Sequence, residues 1–424
     1  MFSLKVVTRE TGISASTLRA WERRYGLPRP QRTSSGRRLY SRRDIETIRW
    51  LTQRVAEGMS IGQAVELWRK MEANGQDPLR FPFSLKAEML PATAELNSLR
   101  QAWLNAVLNF NEEAADFVLN QAFAIYPPET VCLEVLLWGL REIGDLWYAG
   151  KVAVAHEHFA SSVATRRLEA LIQAAPSPNR PGCVLVLAPP VENHSFSLRL
   201  LAYLLHRRGW HVVYLGGCVP LERFRETLRA IKPDRVITAI QYTAAVAGLM
   251  ELAHLLKAEG IPLGYGGRVF NLLPTLCSRI PGYFLGKDLK EALPQIEQWI
   301  AESLPPLEVE PISESRQQAL DLFQAQEMEI WGVVLLTMTK RGMAFEWLSD
   351  FMEEFNLHLK SAMMTGEMGL MDYYLSWLQG LHSGYFVTRE WLYQFLLIYA
   401  ETLMHQVGPV VAFLCDYFRG KANS

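Results

Sequence analysis

The spacing of apolar residues changes character several times along this 424-residue chain. Over residues 93–175 they recur at three- and four-residue intervals with few breakers, which predicts helices. From residue 183 the runs become short. Cys183–Ala188, His211–Leu215, Arg235–Ile240 and Pro262–Tyr265 are apolar, with helical stretches such as Ser197–Arg208 and Leu221–Ile231 between them. Strands of this kind alternating with helices predict a buried parallel sheet, doubly wound. Residues 313–424 return to helical spacing, with helices expected over Arg316–Lys340, Ala344–Met363, Met368–Leu381 and Arg389–Phe418. Pro- and Gly-containing stretches at 73–92, 176–182 and 304–311 read as linkers. The expected domains are therefore 1–72, 93–175, 183–303 and 313–424, a multidomain chain of α and α/β class.

The first block is the polar one. Leu4–Ile13 predicts a short helix ending near Gly12, and Ser14 is suited to cap a second helix running to Arg24. Two helices joined this tightly form a helix-turn-helix. The second helix carries Ser16, Thr17, Arg19 and Arg23 where base edges or phosphates are reachable. Pro28 and Pro30 then break the chain, and Ser35–Tyr40, a turn holding Arg37, Arg38 and Tyr40, reads as a wing. Charge supports this. The whole chain carries −1, but residues 1–70 hold fifteen Lys/Arg against six Asp/Glu, a net +9, which leaves −10 for the remainder. A basic end on an acidic body points to a local nucleic-acid surface.

Five scattered cysteines without a C-x-x-C pair make a disulfide framework or a zinc finger a poor fit. Lys5, Arg9 and Glu10 interrupt any leader-like apolar run, and no apolar stretch is long enough to span a bilayer without charge. A cytoplasmic protein with no membrane partner is expected.

In the α/β block, the first strand runs into Pro189–Ser197, a loop holding Glu192 and His194. Doubly wound folds bind ligands at the carboxyl ends of their strands. An imidazole there can ligate a metal while a nearby carboxylate orients it.

Two resemblances follow from these residues. Thr17-Leu-Arg-Ala-Trp-Glu-Arg-Arg-Tyr-Gly-Leu27 followed by Gly36-Arg-Arg-Leu-Tyr-Ser41 resembles the MerR family of winged helix-turn-helix regulators, which implies a double-stranded DNA operator and a wing that grips phosphate through Arg37, Arg38 and Tyr40. Glu192-Asn-His194-Ser-Phe-Ser197 resembles the Asp-x-His-x-x-Gly motif of cobalamin-binding domains, and Gly266-Gly267 lies where such domains carry a Gly-Gly. Trp147 followed by Glu157-His158 is similar to the Trp-(nine residues)-Glu-His signature of CarH-type photoreceptors. The resemblance implies a four-helix bundle over 93–175 capping a flavodoxin-like cobalamin-binding domain. It implies His194 as the lower cobalt ligand, with Trp147, Val154 and Glu157 beside an adenosyl group. It further implies that His158 is the imidazole that ligates cobalt once light has broken the Co–C bond. The chain departs from the motif at Ser197, where Gly is usual, and at Ala239, where a Ser is usual. Thr238 and Thr243 are neighbouring hydroxyls, with Thr243 counted among the candidate cofactor contacts. A lost hydrogen bond at 239 would cost about 1 kcal/mol. His156 has no assignable role, and His206 and His211 read as structural.

The aromatic- and Met-rich C-terminal helices lie outside that architecture. Such stripes are more often core than a cofactor box. The sharper alternative is a second chromophore, a bilin or haem, near His358, His382, His405 or Cys415. The leading expectation is a transcription regulator, not an enzyme, controlled by adenosylcobalamin and light. The alternative is a cobalamin-independent regulator gated by a partner protein or by the C-terminal domain. A homo-oligomer, dimer or tetramer, is expected because one helix-turn-helix reads one half-site.

Overall fold

The structure, a computed structural model, describes residues 2–32, 36, 38–56, 61–73, 94–302, 309, 311–380 and 388–422. Arg37, His382 and nearly all of the linker expected over 73–92 lie outside the described residues. The chain divides into two compact units, residues 1–98 with 120–131, and residues 99–119 with 132–424.

The first unit opens with β1 (Phe2–Ser3), α1 (Leu4–Thr11) and α2 (Ala15–Tyr25). Gly12 adopts φ 70° and its N–H bonds to Thr8 O, ending α1 in the left-handed conformation that glycine tolerates best. Two residues later the Ser14 hydroxyl accepts the Thr17 N–H at 3.1 Å and starts α2. β2 (Gln31–Arg32) and β3 (Arg38–Tyr40) join β1 in an antiparallel sheet of order β1-β3-β2, and α3 (Arg42–Ala56) and α4 (Ile61–Ala73) follow. Val7, Leu18, Tyr40, Ile45 and Ile48 form one small core. Trp21, Leu27, Trp50, Leu51, Val65 and Trp68 form another, with Trp50 and Trp68 edge to face at 5.2 Å.

The next region comprises α5 (Ala94–Leu108), α6 (Glu112–Ile125), α7 (Pro128–Val131) continued through a π-turn (Cys132–Leu137) into α8 (Trp138–Tyr148), and α9 (Val154–Gln173). Trp103 of α5 is fully buried over Gly139, where a Cβ would overlap its ring.

The sheet follows as β4 (Cys183–Leu187), α10 (Phe196–Arg207), β5 (His211–Gly216), α11 (Phe224–Ile231), β6 (Arg235–Ala239), α12 (Val246–Ala258), β7 (Leu263–Gly266), α13 (Arg268–Leu272), β8 (Tyr283–Phe284) and α14 (Leu289–Glu302). Its five strands are all parallel, in the order β5-β4-β6-β7-β8. The order reverses between β4 and β6, so the loops leaving these two strands flank the crevice where such sheets bind ligands.

Among the described residues six helices follow: α15 (Glu314–Ala325), α16 (Glu327–Lys340), α17 (Leu348–Thr365), α18 (Gly369–Gly380), α19 (Arg389–Gln406) and α20 (Ala412–Ala422). The single helix expected over Arg316–Lys340 is broken at Gln326, whose φ of −115° leaves the helical region. The helix expected over Arg389–Phe418 is cut by Gly408 at φ 87° and Pro409, which supplies no N–H to continue the ladder. These helices do not stand apart from the sheet. One apolar core runs from Leu185 and Val236 through α12 to Phe355, Tyr399 and Phe418. No helix among the described residues is long and apolar enough to cross a membrane.

Candidate functional site

On the first unit, Ser16, Thr17, Arg19 and Arg23 are all exposed along α2. Ser16 and Thr17 lie within 2.8 and 2.7 Å of the Ser14 hydroxyl, so capping and surface chemistry share one cluster. Arg38 is placed differently from the expected free phosphate contact. Its Nε donates to Glu22 Oε2 at 2.6 Å, tying β3 to α2. Tyr40 does not face solvent. It is fully buried among Val7, Leu18, Ile45 and Ile48, because the alternation of β3 turns it into the core, and its hydroxyl has no hydrogen-bond partner among the described residues. Tyr40 is thus a packing residue. Asp44 secures the end of the wing, accepting from Ser41 N and Oγ at 2.7 Å each and from Arg29 N at 3.1 Å.

On the second unit, the loop after β4 is organised by Glu192, which is fully buried. One carboxylate oxygen accepts the His194 backbone N–H at 2.7 Å and lies 2.8 Å from its Nδ1. The other accepts the backbone N–H groups of Gln241 at 2.5 Å and Tyr242 at 3.1 Å. Because Nδ1–H donates to this carboxylate, the lone pair of Nε2 is left outward. Nε2 has no hydrogen bond among the described residues, and the side chain is 63% exposed. The Glu192 hydrogen bond raises the His194 pKa, opposed by burial; the charges of Glu192 and Glu157 raise it further and Arg268 lowers it. Glu157 and Arg268 are thus electrostatic neighbours of His194, although they stand on α9 and after β7.

Glu157 accepts the Ser161 hydroxyl at 2.6 Å. His158 is largely exposed, its Nδ1 3.6 Å from the other Glu157 oxygen. Trp147 is half-buried on the last turn of α8, and Val154 is 50% exposed at the start of α9. His156, without a role in the sequence, caps α9: its Nδ1 accepts the Ala153 N–H at 3.2 Å and its ring packs on Phe110 at 4.5 Å.

Ala239 and Gly266 pair in register, both half-buried, and between them offer only one methyl group. Gly267 at φ 118° lies against Ile240, where a Cβ would overlap the carbonyl; Gly266 has room for one. This narrow uncovered strip, with an outward imidazole on a buried carboxylate, fits a flat metal macrocycle with a slender appendage. Neither neighbouring threonine replaces a hydroxyl at Ala239. Thr238 points through the opposite face, its hydroxyl buried without a partner among the described residues. Thr243 is 3% exposed and bonds His358 Nε2 at 2.9 Å, so its hydroxyl is not available to a ligand. Ser197 lies 3.4 Å from Gln241 Nε2, whose Oε1 accepts the Arg268 N–H at 3.1 Å. Gln241 gave no signal in the sequence, since its role depends on strands distant along the chain.

Residues 2–70 match the family described as MerR HTH family regulatory protein, and residues 99–172 and 182–292 match two families described as B12 binding domain. The HTH-type transcriptional repressor CarH of Myxococcus xanthus is 28% identical over 282 residues, 66% of this chain and 93% of that protein. The repressor CarA of the same organism is 30% identical over 247 residues, 58% of this chain and 77% of that protein. The chain belongs to the CarH/CarA family of transcription regulators. The dimethylamine corrinoid protein 1 of Methanosarcina acetivorans is 24% identical over 166 residues, 38% of this chain and 78% of that protein. Members of the CarH/CarA family are cobalamin-regulated DNA-binding proteins rather than catalysts. The three matched spans stop at residue 292, so the C-terminal helices lie beyond them.

Those helices place the second-chromophore candidates as follows. His358 is buried, with both ring nitrogens bonded, and its pKa is pulled down to about 4 by burial. Cys415 is buried with its Sγ donating to Ala400 O at 3.3 Å, and His405 is exposed. The cavity beside Met363, Met368 and Phe413 has about 10 Å³, enough for about one water.

Proposed function

We propose that this protein is a transcription repressor whose operator binding is set by adenosylcobalamin, with light as the signal. The observation that carries the reading is the His194–Glu192 pair: a buried carboxylate fixes one ring nitrogen and frees the other for a metal. The neutral imidazole is a good ligand for a cobalt centre. His194 would hold the lower face, and Ala239, Gly266 and Gly267 would line the strip for the nucleotide tail. Trp147, Val154 and Glu157 would border the upper ligand. Bound adenosylcobalamin supplies a photolabile Co–C bond.

This chain's own residues do the rest. Glu192 keeps the imidazole oriented. Glu157 and Trp147 exclude water from the upper side. His158, largely exposed on α9 beside Glu157, would offer a second imidazole. A change of packing at α8 and α9 is then a local event with a global readout in assembly and operator binding. On DNA, Ser16, Thr17, Arg19 and Arg23 face the major groove, two copies reading two half-sites.

Purified protein loaded with adenosylcobalamin in the dark is expected to show an absorption spectrum that changes under green light, together with a change in operator retardation. His194→Ala is expected to abolish protein ligation of the cobalt in the dark. Operator binding that is identical with and without cobalamin, in dark and light, refutes the proposal.

A further inference from the structure

The loop that Glu192 holds on one side is held on the other by the C-terminal helices. Gln241 and Tyr242 donate their backbone N–H groups to Glu192, and their neighbours along the chain reach α17. The Tyr242 hydroxyl donates to Glu354 Oε1. His358 Nδ1 lies 2.9 Å from the Glu354 carbonyl, so this nitrogen bears the proton and Nε2 accepts from the Thr243 hydroxyl at 2.9 Å. Ser361 donates to Ala244 O and accepts from Ala247 N, both at 3.0 Å. Lys360 pairs with Glu251 at 2.8 Å. The His358 ring stacks on Tyr374 at 3.8 Å and meets Tyr242 edge-on at 5.3 Å. One helix therefore grips the stretch that follows β6 with oriented polar contacts, in addition to the shared apolar core.

Apolar packing alone would leave the 241–243 turn free to shift along α17. The Tyr242–Glu354 and Thr243–His358 bonds fix its register. Glu192 takes two of its four hydrogen bonds from that turn, so the carboxylate cannot hold His194 in place unless the turn is in place. We propose that Tyr242 and Glu354 are positioning residues for the His194 ligand, and that the C-terminal helical domain thereby sets how firmly the corrinoid is held. The proposal rests on the corrinoid reading of His194. It gives the helices beyond residue 292 a part in the same site, as a support whose displacement would loosen the lower ligand.

The test uses the full chain with hydroxocobalamin and adenosylcobalamin. Binding is followed by absorption titration, and the axial nitrogen by electron paramagnetic resonance of the cobalt(II) form. Tyr242→Phe and Glu354→Leu are expected to weaken binding about three- to tenfold and to yield a mixture of protein imidazole and the cofactor's own base on the cobalt. Glu354→Gln keeps an acceptor for the Tyr242 hydroxyl and is expected to behave as wild type. By linkage, cobalamin should also slow amide hydrogen exchange over residues 354–361 in wild type and less so in Tyr242→Phe. This readout stays informative if one variant folds poorly. If wild type shows His194 ligation while Tyr242→Phe and Glu354→Leu match it in affinity, axial signal and exchange, the positioning role is overturned alone. If wild type shows no protein imidazole on the cobalt, the underlying reading falls and takes the proposal with it.

Discussion

Replacing Glu192 by Gln tests the centre of the site, because charge and geometry there can be weighed. The carboxylate is fully buried and accepts four hydrogen bonds, two at each oxygen. An amide of the same shape has one acceptor oxygen, and as long as the ring keeps its proton on Nδ1 its NH₂ would face two N–H donors whichever way it is turned. Two charge-assisted bonds are lost, at about 1.5–3 kcal/mol each before relaxation. A net destabilisation of about 3 kcal/mol is expected, equivalent to about 6–12 °C in melting temperature for a domain of this size. His194→Ala removes a side chain that is 63% exposed, and is expected to cost no more than about 1 kcal/mol. Thermal unfolding of the ligand-free protein, followed by circular dichroism, compares the two. The distinction matters, since His194→Ala should abolish ligation through the β4 loop without unfolding it, whereas Glu192→Gln should do both. A Glu192→Gln protein that melts within about 2 °C of wild type would show that the four bonds do not carry the loop.

Gly267→Ala puts a methyl into the Ile240 carbonyl at a φ of 118°, and is expected to destabilise the loop after β7 and reduce cobalamin binding, measured by melting and by titration. Gly266→Ala, whose Cβ would make only an ordinary 3.7 Å contact with Gly286 O, should fold normally and report only on the ligand. Burial holds His358 neutral, with its pKa down at about 4 against 6.5 when exposed. Between these values the unfolded chain binds the extra proton, so stability is lost as pH falls through the window, by about 3 kcal/mol in all. The slope of melting temperature between pH 6.5 and 4 should flatten in His358→Gln. Arg19→Ala and Arg23→Ala should weaken operator binding, and each phosphate contact removed should lower the slope of log affinity against log salt by about 1.

The parts legible in the sequence are those encoded locally. Gly12 and Ser14 punctuate the turn between α1 and α2 within three residues, and the fold obeys both. The His194 loop follows a strand whose five residues are all buried, a pattern readable as it stands. Other features are long-range. Tyr40 reads as a polar aromatic on a basic wing until β3 pairs with β1 and turns it inward. The two-residue strand Tyr283–Phe284 is too short to show a period, and only its partner Gly264-Tyr265 defines it. Tyr242 and Glu354 are far apart in the chain and carry no motif, so nothing short of the packed structure brings them together.

The continuity of the core from Leu185 to Phe418 has a consequence for the gene as well as for the fold. A stop codon after the last corrinoid strand would not produce a shorter regulator lacking an accessory. It would strip α17 from α12, where Ala247 and Glu251 are bonded to it, and give cellular proteases a molecule without one wall. Loss of the helices beyond residue 313 should therefore appear as a null allele with little protein detectable by immunoblot, and a missense change at Phe355 should resemble it more closely than a change at Arg19 does.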